Sequence, residues 1–94
     1  MIVLHRVVRD CYRDSVSLLA LSAMLSARDD VTSASITMAT PANVEAATEV
    51  GVTAPIVASP ADVLLVVTAV DTAAAERALD AAEGALLRPA GGDR

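Results

Sequence analysis

The chain has 94 residues, 54% of them apolar but only 1% aromatic, with a single Tyr and neither Trp nor Phe. That length holds one hydrophobic core, which must be built from Val, Leu, Ile, Met and Ala. The net charge is −5, lysine is absent and all seven basic residues are scattered arginines, which excludes a basic stripe along a nucleic acid and a set of aromatic platforms for stacking bases.

Cysteine usage and hydropathy narrow the class further. Cys11 is the single cysteine, which excludes an internal disulfide framework and fits a reducing cytoplasm. One His and one Cys do not make a zinc site within the chain, so neither metal nor cofactor is expected. The uncharged stretch Val50–Ala61 contains Gly51, Pro55, Ser59 and Pro60 and does not read as a membrane span. Met1–Val8 has no basic start and no small-residue cleavage site, so it does not read as a signal peptide.

Ile2–Val8 is rich in β-branched residues and predicts a first strand, with Val3, His5 and Val7 on one face and Ile2, Leu4, Arg6 and Val8 on the other. Arg9–Arg13 is a polar loop. Asp14 or Ser15 then caps a first helix that runs to about Arg28 and stops at Arg28-Asp29-Asp30. Val16, Leu19, Ala20, Ala23, Met24 and Ala27 form an apolar stripe on it, which Leu18, Leu21 and Leu25 widen, leaving only a narrow polar line of Ser15, Ser22, Ser26 and Asp29. So wide a stripe exceeds what one sheet covers. Burial of Leu18, Leu21 and Leu25 against another subunit is therefore expected, with a helix sandwiched in its own core as the alternative.

Val31–Ala39 predicts a second strand, with Thr32, Ala34, Ile36 and Met38 alternating with Ser33, Ser35, Thr37 and Ala39. Thr40-Pro41 opens a second helix and Gly51 closes it. Val52–Ala61 is a loop or holds a short extra strand at Ile56–Ala58. Asp62–Val70 is a strand apolar on both faces, as a central strand should be. Asp71-Thr72 caps a third helix to about Leu87, with Ala75, Ala78, Leu79, Ala82 and Leu86 inward. Residues 1–88 make one domain and 89–94 a frayed tail.

Strand–helix three times over predicts an α/β fold: a small βαβαβα layered domain with a three- to four-stranded sheet. A crossover through the first helix sets the first two strands parallel. A ferredoxin-like or ACT-like sandwich is the alternative if a fourth strand forms.

Two helix starts follow strands closely. If those strands run parallel, the helix N-termini converge at one sheet edge, where α/β sheets bind ligands. Arg9, Arg13, Asp14, Ser15, Thr40 and Asn43 then form a candidate pocket for a phosphate, carboxylate or carbamoyl group. The alternative is that Ser, Thr and Asp only cap their own helices and the arginines are solvated. Cys11 with His5 is the one pair suited to nucleophilic catalysis, but a structural His and an ordinary loop Cys is the plainer reading. Asp29-Asp30 reads as a solvated turn rather than a metal ligand pair. Gly51, Gly84, Gly91 and Gly92 match no dinucleotide fingerprint and no phosphate loop. No catalytic residue is assigned.

Three blocks carry a family resemblance: Cys11-Tyr12-Arg13-Asp14-Ser15-Val16-Ser17-Leu18-Leu19, Ile36-Thr37-Met38-Ala39-Thr40-Pro41-Ala42-Asn43, and Ser59-Pro60-Ala61-Asp62-Val63. In this order and spacing, residues 1–70 resemble the start of FdrA-type proteins, although Ala39 stands where that family usually has glycine. Such proteins resemble the α subunit of succinyl-CoA synthetase, and some take part in carbamoyl transfer during allantoin and oxamate breakdown. The resemblance implies an N-terminal module without the CoA-binding and phosphohistidine-type domains, and His5 does not match the family's active-site histidine. The expected function is a non-catalytic accessory or oligomerisation subunit of an FdrA-like acyl-CoA synthetase or carbamoyltransferase complex. Its partners would be copies of itself or larger FdrA-like subunits, with no nucleic acid and no membrane. A stand-alone regulatory module that senses a small anion is the alternative.

Overall fold

A computed structural model describes residues 1–87; the expected tail, 89–94, lies outside the described residues. The elements are β1 (Ile2–Val8), α1 (Ser15–Ser26), β2 (Val31–Met38), α2 (Pro41–Glu49), β3 (Val63–Ala69) and α3 (Thr72–Leu87). The expected α/β order is therefore present, with helix and strand ends within about two residues of those read from the sequence.

The sheet has three strands in the order β1-β3-β2, and β3 is antiparallel to both neighbours. β1 and β2 thus point the same way, as a crossover through α1 requires, but they are not hydrogen-bonded to each other. β3 lies between them because it is the one strand apolar on both faces. Val63, Leu65, Val67 and Ala69 pack on one side, under α1 and α3. Leu64 and Val66 pack on the other, with Ala39, Ala47 of α2 and Val52. The result is three layers, with the sheet in the middle.

Ile56–Ala58 forms no strand. Pro55 and Pro60 bracket it and lack donors for a ladder. Ile56 and Ala58 instead turn their side chains into the cluster beneath the sheet.

Helix ends follow local chemistry. Thr40 Oγ1 accepts the Asn43 N–H, and Pro41 occupies the first turn. Asp71 Oδ1 accepts the Ala74 N–H at 2.8 Å and caps α3. Gly51 has φ +122°, a conformation side-chain-bearing residues rarely adopt. From there the N–H groups of Gly51 and Val52 reach back to the carbonyls of Thr48 and Ala47, both at 3.2 Å, which closes α2 in the two-bond motif expected of a left-handed cap. No helix among the described residues is long and apolar enough to cross a membrane.

Candidate docking face and helix-start cleft

Because β1 and β2 point the same way, α1 and α2 begin at the same end of the sheet, but on opposite faces of it. A cleft of about 360 Å³ opens there, lined by Ser15, Leu18, Leu19, Ile36, Thr37, Met38 and Asn43. Of the six residues expected to hold an anion, Ser15 and Asn43 meet in this cleft. Asn43 is already engaged, since its Nδ2 donates to the Met38 carbonyl at 2.8 Å.

The other four sit elsewhere. Arg13 donates to the carbonyls of Tyr12 and Leu86, tying the β1–α1 loop to the end of α3. Arg9 lies 3.8 Å from Asp62 and is largely exposed. Asp14 precedes α1 and accepts the Ser17 hydroxyl at 2.6 Å, a bond that holds its carboxyl below the ordinary carboxylate range. Thr40 caps α2.

Asp62 is the polar residue that sequence reading missed as a site. It is buried, 2% exposed. Its Oδ2 accepts the Ser59 N–H and its Oδ1 accepts the Asp10 N–H, both at 2.9 Å. Those two backbone donors, Ser59 first, hold its carboxyl below the ordinary range, with Arg9 adding to the effect. Asp10 adopts φ 51° at this point, a turn that Asp tolerates better than most residues. The next residue, Cys11, donates its N–H to Ala61 at 3.1 Å. The turn before β3 therefore grips the loop after β1. An Asp three residues after the Ser of a Ser-Pro pair is the sequence signal that points to such a turn.

Cys11 itself is buried, with its side chain in the core beneath α1 and α3. His5 shares the opposite sheet face with Val3 and Val7. Thiol and imidazole are thus separated by the sheet, and the pair considered for nucleophilic chemistry is not assembled. Asp30 instead accepts from Arg77 at 3.1 Å and lies 3.8 Å from Arg28. Arg77 holds its carboxyl below the ordinary range.

α1 places its residues differently from the expectation. Leu18 and Leu25 are buried against the sheet of their own chain, at 5% and 0% exposure, and Leu21 is half-buried beside them. Ser22 also turns inward, where its hydroxyl accepts the Ile36 N–H of β2 at 3.0 Å. The outward face is the other stripe. Val16 is 74% exposed, Leu19 69% and Met24 48%, with Ala20, Ala23 and Ala27 exposed between them. No charged residue occurs from Ser15 to Ala27. A continuous apolar face of this kind is the usual mark of an interaction site.

No curated protein and no solved structure matches the chain. One family does, described as AllF, heavy metal-associated domain, and the match runs over residues 1–94. AllF is associated with allantoin breakdown, in agreement with the pathway that the FdrA resemblance implies. With the match running from end to end, the chain belongs to the AllF heavy metal-associated domain family.

Proposed function

We propose that the chain is a non-catalytic docking module of an FdrA-like assembly in allantoin breakdown, and that it engages a larger FdrA-like subunit through the outward face of α1. The uncharged run from Ser15 to Ala27, with Val16, Leu19 and Met24 turned to solvent, carries this reading. In a chain of net charge −5, such a face is costly to leave bare and suits an apolar counterpart.

Metal carriage, which the family description suggests, does not fit this chain's donor set. A soft metal ion needs two or more thiolate or imidazole ligands that converge. Here the single thiol lies in the core, the single imidazole lies across the sheet, and no group of three or more His, Cys, Asp or Glu among the described residues could hold a metal.

The test is co-expression with an FdrA-like subunit and recovery of the complex. Leu19→Asp and Met24→Asp should abolish recovery, because each buries an unpaired charge at the contact. They should leave the melting temperature of the isolated chain nearly unchanged, since both side chains are outside the core. Recovery unaffected by either change would refute the docking face. The anion-sensing alternative draws on the cleft where Ser15 meets Asn43. It is separated by melting the isolated chain with carbamoyl phosphate, oxamate and phosphate, where a concentration-dependent rise would favour it.

A further inference from the structure

The two borders of the sheet are built differently. β2 is defended: α1 lies along it, the Ser22 hydroxyl occupies the Ile36 N–H, and the register with β3 shifts between Val31 and Ser33. β1 has a helix over it as well, α3, but among the described residues no side chain occupies its outward backbone groups and no register break interrupts it. Ile2–Val8 contains no Pro, Gly, Lys or acid.

Register fixes which backbone groups β1 turns outward. The Ile36 N–H points away from β3, toward Ser22, so Ile36 and the Leu65 opposite it form a non-hydrogen-bonded pair. Leu65 therefore turns its backbone groups to β1, where it faces Arg6. The Ala39 N–H, bonded to the Asp62 carbonyl at 2.8 Å, fits the same alternation. Ile2, Leu4, Arg6 and Val8 thus bond to β3, while Val3, His5 and Val7 present N–H and C=O to the open side. Among the described residues, no backbone group pairs with those three.

This outward set is its own complement. We propose that β1 is a dimerisation edge, on which a second copy of the chain pairs antiparallel about a two-fold axis at His5. Val3 then faces Val7 of the second copy, His5 faces His5, and Val7 faces Val3, each pair exchanging two main-chain hydrogen bonds. The two three-stranded sheets become one of six strands, an ordinary size.

Charge favours the same partner. α3 runs parallel to β1, since Arg6 meets Asp80 and Glu83 at 2.7 and 2.8 Å and Arg13 reaches Leu86 further on. Leu4 accordingly lies level with Glu76, one turn earlier on α3. Glu76 is exposed and has no ion pair among the described residues. The pairing sets Arg6 of the second copy opposite Leu4. Arg6 uses only Nη1 for its own two acids, which leaves Nη2 and Nε for Glu76 across the axis.

Sedimentation equilibrium of the full chain should give twice the chain mass of 9.6 kDa. His5→Asp and His5→Lys each place like charges face to face, and each should raise the dissociation constant about tenfold or more. Mixed together, they should form a heterodimer that native mass spectrometry resolves. Far-UV circular dichroism checks that each variant folds. Hydrogen exchange needs no variant: the amides of Val3, His5 and Val7 should slow as concentration rises. A wild-type monomer at every soluble concentration, a dimer indifferent to both charges, or concentration-independent exchange at the three amides would overturn the proposal. Leu19→Asp should leave this dimer intact, so the two surfaces fail independently.

Discussion

Helices α1 and α3 cover the same side of the sheet, yet their composition and burial run in opposite directions. α1 has no charged residue and buries only Leu18 and Leu25. α3 carries Glu76, Arg77, Asp80 and Glu83, yet buries Ala74, Ala75, Ala78, Leu79, Ala82 and Leu86. Position explains the difference. α3 lies over central β3 and β1, whereas α1 lies mainly on the edge strand β2. Sidedness explains the rest. α3 sorts its small apolar residues onto one face, so its backbone settles close to the sheet. α1 is greasy all round, and an edge strand can hide only one side of it. How apolar a helix is therefore says less about its burial than how its residues are sorted and where it lands.

Breaking the inner side of α1 should have the largest effect. Leu25→Ala empties a fully buried site and should cost about 2–5 kcal/mol in chemical denaturation. The same enlargement placed on each helix sharpens the contrast. Ala78→Leu forces bulk into a site with 0% exposure and should cost about 1–3 kcal/mol. Ala23→Leu, on the open face of α1, should stay within about 0.5 kcal/mol. Equal costs would mean that both helices are packed alike.

A subtler probe is acid. The folded Asp62 carboxyl titrates below its ordinary value of 3.8, so its contribution is fully present above that pH. That contribution is lost as pH falls through the lower folded value, because protonation removes the charge that strengthens the bonds from the Ser59 and Asp10 N–H groups. Asp62→Asn should therefore lower the melting temperature at neutral pH and flatten the decline below about pH 4. A variant that declines as steeply as the wild type would place the acid-sensitive group elsewhere, with Asp14 and Asp30 the next to examine.

Much of this architecture is legible in the residues. Thr40-Pro41, Asp71 and Gly51 mark helix ends by local chemistry, and those ends are where they were expected. The double-sided apolar run of β3 announces a central strand. What the residues do not disclose depends on long-range placement. Nothing local tells Val31–Met38 that it will be an edge, so nothing local says that Leu18 and Leu25 turn inward while Val16 and Leu19 turn outward. Arg13 looked like an anion ligand because its neighbours in sequence are a loop and a helix start. Besides the neighbouring Tyr12 carbonyl it bonds the Leu86 carbonyl, which belongs to the far end of α3. Asp62 was hidden for the same reason, since its Asp10 donor lies on a remote loop.

The Ser22 hydroxyl has a consequence beyond guarding β2. A cylinder coated with alanine, leucine and methionine has several rotational settings of similar energy on an oily support. A single directional bond from Ile36 selects one of them. It works like a keyway on a shaft, so the same side chains always point away from the sheet. Replacing Ser22 with valine, which keeps the bulk and removes the acceptor, should let the helix roll about its axis. The expected sign is doubled or broadened methyl resonances of Leu18, Leu19 and Leu25, with overall helix content unchanged.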